Sequence, residues 1–119
     1  MLRPIYAKVI GIIAVIVAVL LFGVLFETRL SIHKAREQVL SDDLATMRTV
    51  INQYALDKNH RPRSLEDLFA AGYLKSLPKD PFTGSNTTWV FERDQNGDIV
   101  GVHSGSKRIG SNDKPYSSW

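Results

Sequence analysis

The sequence has no cysteine, which removes disulfides, thiolate metal sites and thiol nucleophiles together and leaves the redox compartment open. Proline is scarce, with five in 119 residues. Between Glu27 and Leu56 there is neither Pro nor Gly, so nothing in that span interrupts a helix. Long runs of one charge are also missing. Fifteen Lys and Arg are scattered among twelve Asp and Glu for a net charge of +3, and no basic stripe interleaves with aromatics, so nucleic acid is not an expected partner. The most informative absence lies between Val9 and Phe26, where no charged, amide or hydroxyl side chain occurs.

That stretch, VIGIIAVIVAVLLFGVLF, predicts a membrane-spanning helix. About 18 residues at 1.5 Å each give roughly 27 Å, close to the ~30 Å hydrocarbon thickness of a bilayer. Peptide groups in hydrocarbon must bond one another, so a single segment crosses as a helix, with Gly11 and Gly23 tolerated. A cleaved signal peptide has the same basic start, here Arg3 and Lys8, but an apolar region of only about 7 to 15 residues and an A-x-A-like exit. Here the run is longer and is followed by Glu27-Thr28-Arg29-Leu30. A core helix of a soluble protein is a poorer reading, because a small domain cannot cover a helix that is apolar on every face. Charge counting nearly balances the two flanks, Arg3 and Lys8 against Arg29, Lys34 and Arg36; the shortness of the N-terminal tail favours keeping it on the cytoplasmic side.

The chain divides accordingly into a short tail (1–8), the spanning helix (9–26), a helical neck (27–40) and one small soluble domain (41–119). The helical pattern runs on from Glu27 to about Leu56. Its far half carries an apolar seam, Leu40, Leu44, Met47, Ile51 and Tyr54, with Val50 widening it. The near half is charged, with Glu27, Arg29, His33, Lys34, Arg36 and Glu37 and little seam, and reads as a solvated neck or a face used between subunits. Met47 reads as core, and His33 as solvated surface rather than a ligand or catalytic group.

Asn59 is placed to take a left-handed helix cap, and Pro62 cannot continue a helix. Ser64 is a good N-cap for a second helix, Leu65 to Ala71, with Glu66 and Asp67 in its first turn, where the peptide dipoles favour negative charge. Leu65, Leu68 and Phe69 form its apolar face, and Gly72 stops it. After Pro78 and Pro81 the pattern becomes strand and turn: Thr87 to Glu92, a turn at Asp94-Gln95-Asn96-Gly97, and Asp98 to His103 predict a β-hairpin. The tail from Ser104 is polar but ends in Pro115-Tyr116 and Trp119, aromatics that predict folding back onto the domain.

Tyr54-Ala55-Leu56-Asp57, Arg61-Pro62, Leu65-Glu66-Asp67-Leu68, and the run from Gly72-Tyr73-Leu74-Lys75-Ser76-Leu77 through Pro78-Lys79-Asp80-Pro81-Phe82-Thr83-Gly84 together resemble the major (G-type) pseudopilin of type II secretion and related type IV pilin-like proteins. The likeness covers Ser41 to Trp119. It implies an α+β fold, in which a long N-terminal helix, membrane-spanning in its first half, packs on a small antiparallel sheet. It further implies residence in the bacterial inner membrane with the C-terminal domain periplasmic, membrane lipid and other pseudopilins or copies of itself as partners through the N-terminal helix, and a role in protein secretion by filament assembly. The alternative is a membrane-tethered periplasmic accessory or binding module that does not polymerise.

At its head the sequence departs from the family. No Gly-Phe-Thr-Leu-Ile-Glu motif precedes the apolar run; the nearest glycine is Gly11, and the first carboxylate is Glu27. The resemblance also implies a calcium loop near the C-terminus, for which Ser106, Asn112 and Asp113 are the candidate ligands, although a hard cation wants about six to eight oxygens and Lys107, Arg108 and Lys114 stand nearby. No enzyme is expected. His103-Ser104 has neither a third catalytic group nor a nucleophile-elbow motif, and Asp94, Asn96 and Asp98 lack the following Glu of a calcium-binding EF-hand loop, so they read as a turn.

Overall fold

A computed structural model describes residues 3–119. The elements are α1 (Arg3–Lys58), α2 (Leu65–Ala70), β1 (Val90–Arg93), β2 (Ile99–His103) and a 3₁₀ turn, Tyr116–Ser118. Two compact units are present, one ending at Lys34 and the other comprising Ala35–Trp119. The layout is α+β: one long helix, apolar in its N-terminal part, and a small two-stranded antiparallel sheet.

Among the described residues of the first unit, nothing packs against α1. Every apolar side chain from Val9 to Phe26 is exposed, Phe22 most of all at 72%. Backbone hydrogen bonds are closed within the helix, so what remains outward is almost purely hydrocarbon. Phe22 and Phe26, one turn apart, stack with ring centroids 6.4 Å apart. This is the one helix among the described residues that is long and apolar enough to cross a membrane, and a continuous apolar surface of this size is compatible with a single-pass membrane protein.

In the second unit the predicted seam of α1 is the spine of the core. Leu40, Leu44, Met47, Ile51 and Tyr54 are all buried, each of the aliphatic ones contributing roughly 1.5–3 kcal/mol of transfer free energy. They meet Leu68 of α2, Ile99 and Val102 of β2, Trp89 and Tyr116, with Val50, Leu65, Tyr73, Leu74, Leu77, Phe82, Phe91 and Trp119 packed at the margin. The helix ends as its sequence requires. Asn59 adopts a positive φ of 58°, and Pro62 lies buried one turn further on.

Ser64 has extended backbone and its hydroxyl accepts from the Asp67 amide, while Ala71 is the C-cap rather than the last helical residue. Leu68 is buried and Leu65 packs against the core, but Phe69 stays 37% exposed, so the apolar face of α2 is narrower than its composition suggests. The hairpin pairs Val90 with His103, Phe91 with Val102 and Glu92 with Gly101, then shifts register before Arg93 meets Ile99. Its turn is held by Asp94, whose Oδ1 accepts from the amides of Asn96 and Asp98 at 2.9 and 3.0 Å, and by Gly97, whose φ of 80° few other residues would tolerate.

The first strand begins later than predicted, at Val90 instead of Thr87. The hydroxyls of Thr87 and Thr88 bond to those of Ser85 and Thr83 at 2.8 and 2.6 Å. Such local side-chain bonds compete with a strand ladder. The C-terminal segment does fold back: Tyr116 is fully buried, stacked on Phe82 with centroids 3.8 Å apart, and Trp119 meets Tyr116 edge-on at 5.1 Å.

Candidate functional site

Two kinds of surface bear on function, the bare apolar helix of the first unit and the polar ties that lock the second. On the helix, Gly23 leaves a shallow notch beside Leu20, Val24 and Glu27. Ala7, Gly11, Ala14 and Ala18 step by four, three and four, which puts the small residues on one side. Thr28 returns its hydroxyl to the Val24 carbonyl at 2.8 Å, which satisfies that hydroxyl where the apolar run ends. A surface of this kind offers dispersion contact and close backbone approach, not chemistry.

The second unit is closed by three polar ties. The first is Glu37, expected to be a solvated neck residue and in fact only 6% exposed. Its Oε1 accepts from the Ser111 amide and the Tyr116 hydroxyl, both at 2.8 Å, and its Oε2 accepts from the Ser111 hydroxyl. Burial, then the bond to Glu37, pushes the Tyr116 phenol up to about 12. A carboxylate one turn before an apolar seam reads as solvated unless its partners, more than seventy positions away, are known.

The second tie is Asp80 of the Pro78-Lys79-Asp80-Pro81 turn, fully buried. Its Oδ1 accepts from the amides of Phe82 and Thr83, and its Oδ2 from the Ser104 hydroxyl. The carboxylate acts as a turn staple between the two prolines and the end of β2. Asp43, on α1, feels burial first and then the charges of Asp42 and Asp80, and its pKa is raised above the ordinary carboxylate value.

The third tie gathers the chain end. Arg48 donates from Nη2 to the Val102 carbonyl at 2.9 Å and to the main-chain oxygen of Trp119 at 2.6 Å. The His103 ring lies between the main-chain oxygen of Trp119, 2.7 Å from Nδ1, and Glu92 Oε1, 2.5 Å from Nε2. His103 and Ser104 thus point into separate ties, His103 to Glu92 and Trp119, Ser104 to Asp80. Neither is set against the other as base and nucleophile.

The calcium candidates lie in the loop leading to the 3₁₀ turn. Ser106 is buried, and its hydroxyl accepts from the Arg108 amide at 3.3 Å. Asn112 Oδ1 accepts from the Lys114 amide at 3.1 Å and from Trp119 Nε1 at 3.2 Å. Asp113 is exposed with a positive φ of 59°. Two of the three candidate oxygens already serve protein donors and one carboxylate remains, a donor set that does not fit a cation needing about six to eight oxygens. Among the described residues no three His, Asp or Glu side chains are grouped to hold a metal ion. No protein-family model, curated protein or solved structure matches the chain.

Proposed function

We propose that this chain is a membrane-anchored structural subunit of a type II secretion pseudopilus or related pilin-like filament, held in the bacterial inner membrane with its C-terminal domain in the periplasm. The observation that carries this reading is the division of labour along α1. Its first part is wholly exposed hydrocarbon, while its later part is the core spine of a small α+β head. Lipid can hold such a helix in store, and a bundle of copies offers it an equally dry surround. The small residues Ala7, Gly11, Ala14 and Ala18 suit close helix packing. Glu37 and Asp80, the two buried carboxylates at the ties, are taken up by internal donors, which suits an assembly role.

A second reading, a tethered accessory module that stays monomeric, draws on the lack of any carboxylate within Val9–Phe26. The two separate cleanly because the chain has no cysteine of its own. Ala14→Cys in native membranes, treated with a bifunctional thiol crosslinker, is expected to give a covalent homodimer, since one thiol per copy allows one link, and Ala14→Cys/Leu21→Cys, with two thiols per copy, a ladder of homo-oligomers. A protein that remains monomeric at Ala14→Cys, Ala18→Cys and Leu21→Cys, in cells with a working secretion machine, refutes the filament reading and leaves the accessory one.

A further inference from the structure

Three notches run along the bare part of α1, and they differ in what stands at their outer rims. One, of about 290 Å³, is walled by Phe22, Leu25 and Phe26 and rimmed by Arg29. A second, of about 570 Å³, is walled by Gly11, Ile12, Val15 and Ile16 and rimmed by Lys8. The third, around Gly23, ends in Glu27, Thr28 and Ser31. We propose that the Arg29 notch is a binding site for one anionic phospholipid, with an acyl chain against Phe22 and Phe26 and the headgroup phosphate on the Arg29 guanidinium. The proposal rests on the membrane-anchored reading of α1 and is independent of filament assembly.

The sequence sets cation and wall on one side of the helix. Arg29 follows Phe26, Leu25 and Phe22 by three, four and seven positions, so all four share a face. Phe22 and Phe26 are exposed, and their stacked rings, 6.4 Å apart and inclined by 14°, make a flat apolar wall. Arg29 is exposed too, and among the described residues its side chain has no hydrogen-bond or ion-pair partner. Glu27 does not neutralise it, because residues two apart on a helix do not face each other; Glu27 belongs to the Gly23 notch. The depth fits as well. From Lys8 to Arg29 the helix rises about 32 Å at 1.5 Å per residue, against a hydrocarbon thickness of ~30 Å, so the two cations stand at opposite headgroup levels.

An anionic phospholipid supplies both halves of what the notch lacks. Its phosphate oxygens match the planar guanidinium fork, and its tail covers the two rings, which a free anion would leave bare. A zwitterionic lipid brings its own ammonium to the phosphate and gains less from Arg29. A second copy is the poorer occupant. Parallel copies at one depth in a membrane set Arg29 beside Arg29, a like-charge contact at the edge of a low-dielectric layer.

The test is electron spin resonance of the full chain in phosphatidylcholine vesicles containing a trace of phosphatidylglycerol or phosphatidylcholine spin-labelled on the acyl chain. A helix in the bilayer produces a motionally restricted lipid component, and the ratio of association constants for the two labels reads headgroup selectivity. Phosphatidylglycerol is expected to be preferred by about threefold or more, and Arg29→Gln to bring the two labels close to parity. Phe22→Ala/Phe26→Ala should also reduce the preference. Lys8→Gln and Lys34→Gln remove the same charge elsewhere and should each keep most of it. Equal binding of the two labels by the unaltered chain overturns the proposal and leaves the anchor standing; no restricted component for either label overturns the anchor reading and the proposal with it. Equal losses from Arg29→Gln and Lys34→Gln overturn it in favour of diffuse surface charge. Suppression of the preference by inorganic phosphate, at an ionic strength matched with chloride, overturns it in favour of a free-anion site. Thiol-crosslinked Leu25→Cys dimers that added phosphatidylglycerol does not suppress overturn it in favour of a second copy.

Discussion

Removing the Glu37 carboxylate should cost the head a large part of its stability. In Glu37→Ala three donors lose their acceptor at once: the Ser111 amide, the Ser111 hydroxyl and the Tyr116 hydroxyl. A hydrogen bond to a charged group is worth about 1.5–3 kcal/mol, and a buried donor left unpaired costs about 1–3 kcal/mol. Ser111 is exposed and water can rescue it, whereas Tyr116 is fully buried under Phe82. The sum is then about 3–4 kcal/mol, against a total of about 4–13 kcal/mol expected for a unit of this size. Denaturant unfolding of the full chain in detergent, followed by tryptophan fluorescence, measures it, since Trp119 sits edge-on to Tyr116. A double-mutant cycle with Tyr116→Phe should return a coupling of at least about 1 kcal/mol. Glu37→Gln keeps one carbonyl acceptor and should cost less than Ala. A cost below about 0.5 kcal/mol for Glu37→Ala, or a cycle that closes without coupling, would refute the tie. The exposed Glu27→Ala serves as the control and should leave unfolding unchanged.

Two pH effects follow from the same groups. Tyr116 is raised from 10.0 to about 12 in the fold, so its contribution is complete below pH 10 and lost as pH rises toward 12, because only the unfolded phenol ionises in that window. The rise corresponds to roughly 2–3 kcal/mol, and Tyr116→Phe should flatten the alkaline loss of stability; identical alkaline profiles for the two proteins would contradict it. Tyr73 is raised as well, first by its hydrogen bond to Asp57, and works in the same direction from a half-buried position. Asp43 is raised from 3.8 by burial and by its acidic neighbours. A carboxyl raised in the fold is a penalty above its folded pKa that disappears below the unfolded one. Asp43→Asn should therefore stabilise the head at neutral pH, with the gain fading as pH falls to about 3; a gain that persists in acid, or a loss at pH 7, would count against this environment.

Much of the architecture was legible from local signals. The apolar run, the seam from Leu40 to Tyr54, the Asn59 cap, Pro62, the Ser64 N-cap and the Asn-Gly turn each rest on short-range rules of periodicity, capping and turn geometry, and each appears where those rules put it. Such features are determined within a few residues of chain, so the sequence by itself specifies them. Even the folding back of Tyr116 and Trp119 was foreseeable, because large aromatics in a polar tail seek cover.

What tertiary structure alone decided is the fate of the polar groups. Glu37 looked like neck and became the anchor of the C-terminal segment; Asp80 looked like turn and became a fully buried staple; Thr87 and Thr88 looked like strand and turned to local hydroxyl bonds. The same holds for the loop of Ser106, Asn112 and Asp113, where the Ser106 and Asn112 oxygens serve protein donors. A charged or hydroxyl side chain carries no periodic signal of its own. Whether it is solvated, buried or available depends on partners brought from far along the chain, and only the folded arrangement supplies them.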